Sequence, residues 1–289
     1  MKIPPADPSA ETAVLHVVAT PIGNLGDLTL RALETLRAAE LVICEDTRRT
    51  GRLLQHYGVG APRVSHHDFN ERESARRLAD RIAGGLRAAL VTDAGTPAVS
   101  DPGTALVREC LARGVRVVPV PGVSAVTAAL SVSHLSPSPY LFLGFAPPRG
   151  PARRRFLETV RDLPWTLVFY EAPHRVLAFL GDLQAVLGDR EALFCRELTK
   201  LHEEVLRMKT SALREALAGR ERVVGEITLA VAGAALPDAR ASAGSAPDPA
   251  ACLAALDGKG LSNRDVAAIL SRLCGIPRNE AYRMAGRRR

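Results

Sequence analysis

The sequence predicts an α/β protein with a parallel sheet, then a second, mixed sheet and a small helical appendage. Up to residue 120, short apolar runs alternate with amphipathic helical patterns, as crossover-connected parallel strands require. Further along, two apolar runs follow each other without a long crossover, so we expect antiparallel neighbours there. Polar residues and glycines gather where the apolar runs end, which is the edge at which open α/β sheets bind ligands.

The first strand–loop–helix unit is the most informative local pattern. An apolar run at 14–18 is followed by Thr20-Pro-Ile-Gly-Asn-Leu-Gly-Asp, and a helix is predicted over 27–39 with Asp27 at its start. The two glycines allow a tight turn and a close approach to a ligand. Because the spacing differs from G-x-G-x-x-G, we expect a small molecule held without the usual pyrophosphate cradle. An ordinary turn capped by Asp27 explains the same residues.

The remaining elements follow from the same periodicities. In the first sheet we predict strands at 41–44, 63–65, 88–92 and 115–120, with helices at 47–56, up to about 83, and at 103–113. In the second we predict strands at 140–145, 166–170, 192–195, 204–208 and 226–232, with helices at 151–161, 173–187 and 210–218. Residues 14–121 and 122–235 are therefore interpreted as two α/β domains.

Three further segments differ in composition. Residues 1–13 lack the basic and apolar regions of a secretory signal and are predicted to be a short disordered lead. Residues 236–248 are rich in Ala, Ser, Pro and Gly without periodicity, which is typical of a linker. Residues 249–289 contain three short helical patterns, separated by Ser262 and by Gly275-Ile276-Pro277, and are predicted to form a helix-turn-helix-like appendage.

Composition excludes several classes of protein. No window approaches the roughly 18 uninterrupted apolar residues of a membrane span, so no membrane partner is expected. The five cysteines are scattered without a C-x-x-C pair, which argues against disulfides and metal and favours a reducing cytoplasm. The net charge is +7, with arginines clustered at 149–155 and 278–289, where a phosphate-tracking surface is expected. Solvated charge that keeps the chain soluble explains the same clusters.

Two more strand-end loops carry candidate ligand contacts. Asp93 opens the loop 93–103, whose glycines and prolines fix its path, and a rigid loop loses little entropy when it grips a ligand. Asp93 is suited to accept a hydrogen bond from a ligand amine or ribose hydroxyl, or to form an Asx turn. Residues 121–125 offer helix N-terminal amides to a carboxylate, and Ser124 is alternatively a plain helix cap.

Seven motifs follow one another along the chain, namely Thr20-Pro-Ile-Gly-Asn-Leu-Gly-Asp, Glu45-Asp-Thr-Arg, Asp93-Ala-Gly-Thr-Pro, Ser100-Asp-Pro-Gly, Pro121-Gly-Val-Ser-Ala, Phe169-Tyr-Glu-Ala-Pro-His-Arg and Cys195-Arg-Glu-Leu-Thr-Lys. In this order and with this spacing, they resemble the ribosomal small subunit methyltransferase I family of the tetrapyrrole methylase superfamily. The resemblance spans residues 14 to about 234, and the terminal helices resemble the appendage of the same family. Each motif alone is weak, but seven collinear ones are specific.

The resemblance implies two α/β domains with S-adenosylmethionine in the cleft between them, usually as a homodimer. It implies 2′-O-methylation of a cytidine in the decoding region of 16S rRNA in the small ribosomal subunit, with no DNA partner. By position, the implied cofactor contacts are Pro21, Asp93, Ala94, Gly95, Ser124, Ala125, Tyr170 and Glu226. The expected RNA contacts are Arg149, Arg153, Arg154, Arg155, Arg175 and Arg287. Alternatives are a methyltransferase acting on a tetrapyrrole or corrin ring, and a non-catalytic ribosome-assembly RNA binder.

Methyl transfer to a ribose hydroxyl depends mainly on the alignment of the hydroxyl oxygen, the methyl carbon and the sulfur. A proton acceptor also helps, because the hydroxyl is a poor nucleophile until it is deprotonated. The candidate proton acceptors at strand ends are Glu45, Asp46, Asp101 and Glu197. The positive charge of Lys200 is suited to stabilise an alkoxide. Glu45 and Asp46 rank first, because they end the second strand beside Arg48, which is placed to meet phosphate. Capping of the helix at 47–56 is the structural alternative for this pair.

Two polar groups have open roles. His66, His67, Asp68 and Asn70 are interpreted as a solvated surface loop rather than a metal site, because further ligands are missing. Arg175 follows a strand that ends in aromatic residues, and it is expected to bind either an RNA phosphate or an internal carboxylate.

Overall fold

The computed structural model describes residues 13–66, 71–235, 248–257 and 261–286. Residues up to Ala234 form one compact unit, which contains both sheets, and residues from Ala235 form a second. The predictions for the lead and for most of the linker lie outside the described residues, as do those for His67, Asp68, Asn70 and Arg287. The division of the first unit into two α/β domains stays a prediction.

The first sheet has five parallel strands in the order β3-β2-β4-β1-β5. They are β1 (Val14–Val18), β2 (Leu41–Cys44), β3 (Arg63–Ser65), β4 (Arg87–Leu90) and β5 (Arg116–Val120). The helices that follow them are α1 (Leu30–Ala38), α2 (Thr47–His56), α3 (Glu71–Ala83), α4 (Thr104–Ala112) and α5 (Ala125–Ser131). The predicted parallel α/β sheet is confirmed, and the loops after β1 and β4 open side by side because these strands are neighbours.

Apolar residues cover both faces of this sheet. Strand β2 is buried throughout, contributing Leu41 and Ile43 to one cluster and Val42 and Cys44 to another. This division follows from the alternation of side chains along a strand. Helix α2 packs in the cluster of Val42, whereas α4 packs in the cluster of Ile43, so these two helices cover opposite faces. Strands buried on both faces give continuous apolar runs, which is why these strands were visible in the sequence.

The second sheet is mixed, as predicted, with strand order β6-β7-β10-β8-β9. Its strands are β6 (Tyr140–Phe145), β7 (Thr166–Glu171), β8 (Glu191–Arg196), β9 (Glu204–Lys209) and β10 (Ile227–Val231). Helices α6 (Gly150–Glu158), α7 (Val176–Leu187) and α8 (Thr210–Ala218) lie between them in the chain. Only β6 and β7 pair in parallel, and β10 is inserted between β7 and β8 with antiparallel pairing on both sides. The start of β10 therefore lies beside the end of β7.

The first helix begins later than predicted. Residues Leu25–Asp27 form a 3-10 turn, and Leu28 is extended, which interrupts the helical path. Helix α1 starts at Leu30, where the Thr29 side chain accepts a hydrogen bond from the amide of Ala32. The expectation that Asp27 caps this helix is wrong, because Thr29 provides the capping oxygen.

The second unit contains the three predicted short helices, α9 (Pro249–Leu256), α10 (Asn263–Cys274) and α11 (Arg278–Ala285). They share a small apolar core that includes Val266, Leu270 and Ala281. Ser262 caps the start of α10, and Gly275, with a φ of 66°, ends it in the left-handed conformation that glycine favours. Over the ranges that the structure describes, none of the helices in either unit combines the length and apolarity needed to cross a bilayer.

Candidate functional site

Two adjoining cavities open where strands of both sheets end. The larger cavity has a volume of about 450 Å³ and the smaller cavity about 250 Å³. Three residues line both cavities, namely Ile22, Ala94 and Glu226. The two cavities therefore meet where the loop after β1, the loop after β4 and the start of β10 come together.

The structure brings the predicted cofactor contacts together around these cavities. Those that line the larger cavity are Ala94, Gly95, Ser124, Ala125, Tyr170 and Glu226. Pro21 and Asp93 line the smaller cavity, which Ala94 and Glu226 also reach. Residues from five segments that are far apart in the chain thus converge on one place.

Thr20 holds two of these loops together. Its amide donates to the carbonyl of Gly95 at 2.8 Å, and the amide of Gly95 donates back at 3.1 Å. The buried Thr20 hydroxyl also donates to the carbonyl of Thr92 at 3.0 Å. Sequence reasoning did not single out Thr20, although it opens the first motif. The two loops form one wall because of these bonds.

The loop that follows β4 is conformationally constrained. Ala98 and Ser100 adopt positive φ angles of 66° and 63°, which cost an L-residue on the order of 1–3 kcal/mol each. Gly103 has a φ of 130°, and a Cβ there would lie 2.8 Å from Cδ2 of Leu90. The surrounding core therefore maintains a loop shape that the local sequence alone does not favour.

An aromatic wall borders the larger cavity. Tyr170 packs against Phe142 and Phe145, with ring centroids 4.9 Å and 5.7 Å apart. Burial raises the pKa of the Tyr170 hydroxyl, and the negative charges of Asp101 and Glu226 raise it further. Phe145, which the sequence analysis missed, lines the cavity although 54% of it is exposed. The rings of Phe145 and Tyr170, inclined to each other by 59°, both offer apolar surface to a ligand.

The start of α5 forms another part of the larger cavity. Ser124 is the residue before the helix, yet within the described chain its hydroxyl makes no capping hydrogen bond. Its carbonyl accepts from the amide of Ala128 at 2.9 Å. The alternative of Ser124 as a side-chain cap is therefore not realised, and both Ser124 and Ala125 line the larger cavity.

The smaller cavity carries both signs of charge. Asp93 lies 3.3 Å from Nη1 of Arg49 and accepts a hydrogen bond from the amide of Asp46 at 3.3 Å. Burial nevertheless raises the pKa of the Asp93 carboxyl, because its partial removal from water outweighs these contacts. Asp93 thus connects the loop after β4 to the start of α2.

Lys200 enters the smaller cavity from the second sheet. Its Nζ lies 2.8 Å from Oε1 of Glu197 and 3.0 Å from Oε2 of Glu226. Burial acts against its charge, but the hydrogen bonds to these two carboxylates outweigh burial and raise the pKa of Lys200. A Cβ on Gly23 would lie 2.4 Å from Cγ of Lys200. The lysine therefore packs directly over the first loop.

The residues predicted to be catalytic lie apart from the two cavities. Asp46 caps α2 by accepting from the amide of Arg48 at 2.7 Å, and it pairs with the Arg48 guanidinium at 3.2 Å. These bonds to Arg48 lower the pKa of Asp46. Glu45 accepts a hydrogen bond from the hydroxyl of Thr92 at 3.3 Å. Glu45, Asp46 and Arg48 lie outside the linings that the described residues give to the two cavities. The helix-capping alternative therefore holds for Asp46.

Two of the arginines expected to bind RNA are internal. Arg153 is buried, with Nε 2.7 Å from Oδ2 of Asp182. Arg175 lies 3.1 Å from the buried carboxylate of Glu171 and donates to the carbonyl of Ala146 at 2.6 Å. Because these guanidiniums join structural elements, the internal-carboxylate alternative holds for Arg175, and the geometry does not support an RNA contact by Arg153.

The other arginines of this group lie at the surface. Arg149 and Arg155 are exposed, while Arg154 pairs with Asp182 at 2.9 Å and remains about half exposed. Arg149 immediately precedes α6 and follows Phe145 by four residues, so this exposed charge lies close in the chain to a residue that lines the larger cavity.

Helix α2 presents a basic surface of which the sequence analysis assigned only Arg48. Arg49 and Arg52 line the smaller cavity, and Arg52 also lines a shallow depression together with Arg48 and Arg63. The spacing of residues 48, 49 and 52 places three arginines on neighbouring positions of a helix, a signal that was present in the sequence. Positive charge thus continues from the cavity onto the outer surface.

The histidine cluster is described only at His66. Its ring is buried and contacts the hydroxyl of Ser74 at the start of α3. The part of the chain that the structure covers contains no group of three His, Cys, Asp or Glu side chains suited to a metal ion.

Comparison with known proteins places this chain in a family. The family described as Tetrapyrrole (Corrin/Porphyrin) Methylases matches residues 14–214. A relative from Pseudomonas aeruginosa is 42% identical over 275 residues, covering 94% of this chain and 96% of its own length. One from Haemophilus influenzae is 42% identical over 273 residues, covering 94% and 95%. Both are named Ribosomal RNA small subunit methyltransferase I.

Solved structures share the fold of the first unit. A diphthine synthase superposes with a TM-score of 0.60 at 17% identity, covering 76% of this chain and 90% of its own. The uroporphyrin-III C-methyltransferase of Thermus thermophilus complexed with S-adenyl homocysteine gives 0.54 at 21% identity, covering 75% and 96%. At these identities the likeness establishes the tetrapyrrole methylase fold and nothing about the substrate.

Proposed function

This chain belongs to the ribosomal RNA small subunit methyltransferase I family of tetrapyrrole methylases, and we propose that it methylates the 2′-hydroxyl of a cytidine in the decoding region of 16S rRNA. The methyl donor is S-adenosylmethionine. The observation that carries the proposal is the pair of adjoining cavities, one suited to the cofactor and one bordered by arginines. A transferred methyl group has to pass between two such spaces.

The larger cavity fits the cofactor. Its volume of about 450 Å³ is within the range of about 300–1,000 Å³ typical of small-molecule sites. The rings of Phe145 and Tyr170 suit an adenine ring, and the amides at Ala125 suit a carboxylate. When bound, the cofactor supplies a methyl group activated by a sulfonium. The chain's task is then to orient the ribose oxygen in line with the carbon–sulfur bond and to exclude water.

The basic surface on α2 supports an RNA substrate. A tetrapyrrole bears carboxylates that arginines at the cavity mouth would also bind. However, Arg48 and Arg63 line a depression outside the cavity, where a compact ring system would not need them. A nucleic acid has phosphates on both sides of its reacting nucleotide and would use that surface. The 2′-hydroxyl is also the group that distinguishes RNA from DNA.

The test is transfer of label from tritiated S-adenosylmethionine to small ribosomal subunits that lack the modification. Nuclease digestion of the product should yield labelled 2′-O-methylcytidine. Subunits that already carry the modification serve as the control and should accept no label. Label on a base atom, or on an added tetrapyrrole but not on the subunit, would refute the proposal. Subunit binding without cofactor binding would favour the non-catalytic assembly factor.

We further propose that the protein acts as a homodimer in the cytoplasm. All five cysteines are free thiols, which is compatible with a reducing compartment. Sedimentation velocity of the purified chain tests the dimer, and a single species with the mass of one chain at micromolar concentration would refute it.

A further inference from the structure

The boundary between the two cavities is where the methyl group would change partners, so a proton acceptor for the ribose hydroxyl should stand there. Ile22, Ala94 and Glu226 line both cavities. Among the described residues of this boundary, only Glu226 has an ionisable side chain. The geometry points to Glu226 as the catalytic residue that accepts the 2′-hydroxyl proton, held in place by Lys200 and Glu197. This inference rests on the proposed function.

The backbone of Glu226 is fixed by the neighbouring loop. Its amide donates to Oε1 of Glu197 at 2.9 Å, and its carbonyl accepts from the amide of Glu197 at 2.9 Å. Glu197 adopts a positive φ of 53°, a costly conformation that the structure retains at this point. Gly225, with a φ of 94°, makes room, because a Cβ there would lie 2.5 Å from Cγ of Glu197. The segment before β10 is therefore shaped around this contact.

The carboxylate of Glu226 is positioned and also reaches solvent. Lys200 donates to Oε2 at 3.0 Å, which leaves Oε1 able to accept from a substrate. The same ammonium binds Glu197 at 2.8 Å, and the first loop packs over the lysine side chain. Because 61% of the Glu226 side chain is exposed, a proton accepted there has a path to water.

The proposed step balances atoms and charge. The ribose 2′-oxygen forms a bond to the methyl carbon while the carbon–sulfur bond breaks, and the electron pair of that bond stays on sulfur. The hydroxyl proton moves to a carboxylate oxygen of Glu226 and then to bulk water. The products are a neutral methyl ether, a neutral thioether and one released proton, and neither a metal nor an oxidant takes part.

The other acidic candidates are less well placed. Asp46 is occupied in capping α2, and Glu45 lies outside both cavity linings with Thr92 as a partner. Asp101 lines only the larger cavity. Asp93 lines only the smaller cavity and is engaged by Arg49 and the amide of Asp46. Each of these carboxylates would need to move to reach the boundary.

The decisive experiment compares single-turnover methylation of unmodified small subunits at saturating cofactor. Glu226→Gln keeps the shape and removes the proton acceptor, so the rate should fall by about 10²–10⁴-fold. The affinity for S-adenosylhomocysteine, measured by calorimetry, should stay within about threefold of wild type. Glu215→Gln, an exposed change on α8, is the matched control and should leave both quantities unchanged.

Three results would overturn the inference while leaving the proposed function intact. The first is a wild-type rate for Glu226→Gln. The second is a wild-type rate that Glu226→Gln regains once the cofactor concentration is raised above the level that saturates the wild-type protein. The third is a larger loss for Glu45→Gln or Asp46→Asn than for Glu226→Gln. Failure of the wild-type protein to label a ribose refutes the proposed function itself, and the inference falls with it.

Lys200 is a positioning residue in this scheme, and its variants test that role. Lys200→Met should slow the single-turnover rate at saturating cofactor, and Lys200→Arg should restore part of the loss. When Lys200→Met is combined with Glu226→Gln, the single-turnover rate should fall little below that of Glu226→Gln alone, because the effects of residues that act as a unit are not additive. Fully additive losses would show that Lys200 acts independently of Glu226.

Discussion

Thr20 and Gly95 exchange two backbone hydrogen bonds, 2.8 Å and 3.1 Å long, although 75 residues separate them in the chain. The pair extends the contact between β1 and β4 beyond the ends of both strands. It thereby joins the loop that carries Ile22 to the loop that carries Ala94, two of the residues shared by both cavities. We therefore expect the alignment needed for methyl transfer to depend on this junction.

Thr20→Ala tests the side-chain hydrogen bond that accompanies this junction, because the backbone bonds to Gly95 are available to alanine as well. The change removes the buried hydroxyl that donates to the carbonyl of Thr92. We expect a loss of about 1–3 kcal/mol in the free energy of unfolding, measured by denaturant titration. Affinity for S-adenosylhomocysteine should fall as well. Thr159→Ala is the control, since its exposed hydroxyl bonds only within its own turn, and a similar loss in both variants would contradict the prediction.

Variants of Arg153 and Arg155 should show that the first residue contributes to stability and the second to RNA binding. Arg153→Ala leaves the Asp182 carboxylate partly unpaired and should reduce the free energy of unfolding by on the order of 3 kcal/mol. Arg155→Ala removes an exposed charge and should change stability by less than about 0.5 kcal/mol. It should instead weaken binding to small subunits and lower the salt dependence of that binding. The opposite pattern would show that Arg153 is the RNA contact.

Charge reversal on α2 tests the basic surface. Arg52 lines the smaller cavity and the outer depression, so Arg52→Glu should weaken subunit binding by about 1 kcal/mol or more, as measured by filter binding at two salt concentrations. Arg108→Glu on α4 is the matched control, because α4 covers the opposite face of the first sheet. Equal weakening by both variants would indicate a non-specific effect of net charge.

The lowered pKa of Glu204 predicts that the stability of the protein depends on pH. Hydrogen bonds from Arg220, assisted by Arg196, lower the pKa of this carboxyl from an ordinary value of 4.5 to about 2. A lowered folded-state pKa contributes stability that is present above the unfolded value and is lost as the pH falls through the folded value. Glu204→Gln should therefore destabilise the protein by about 1–3 kcal/mol at neutral pH. The difference in the free energy of unfolding between the wild type and the variant should narrow as the pH drops from about 4.5 towards 2. Thermal melts at several pH values measure this difference, and a difference that does not change with pH would contradict the assignment.

Local signals in the sequence were enough to predict the fold class, the order of the elements and the loops that line the two cavities. Buried parallel strands give continuous apolar runs, and glycine and proline mark the turns, so both signals are visible without a structure. Ala94, Ser124 and Tyr170, which the resemblance implied as cofactor contacts, line one cavity, and their contact with the cofactor stays a prediction.

The role of each charged residue, by contrast, depends on the assembled fold. Arg153 and Arg155 look alike in the sequence, yet packing against α7 buries one and leaves the other in water. Asp46 and Glu226 are both strand-end carboxylates, yet one caps a helix while the other stands between two cavities. The role of a charge is set by its distance to partners elsewhere in the chain and by its removal from water, and both quantities arise only when the two sheets are assembled.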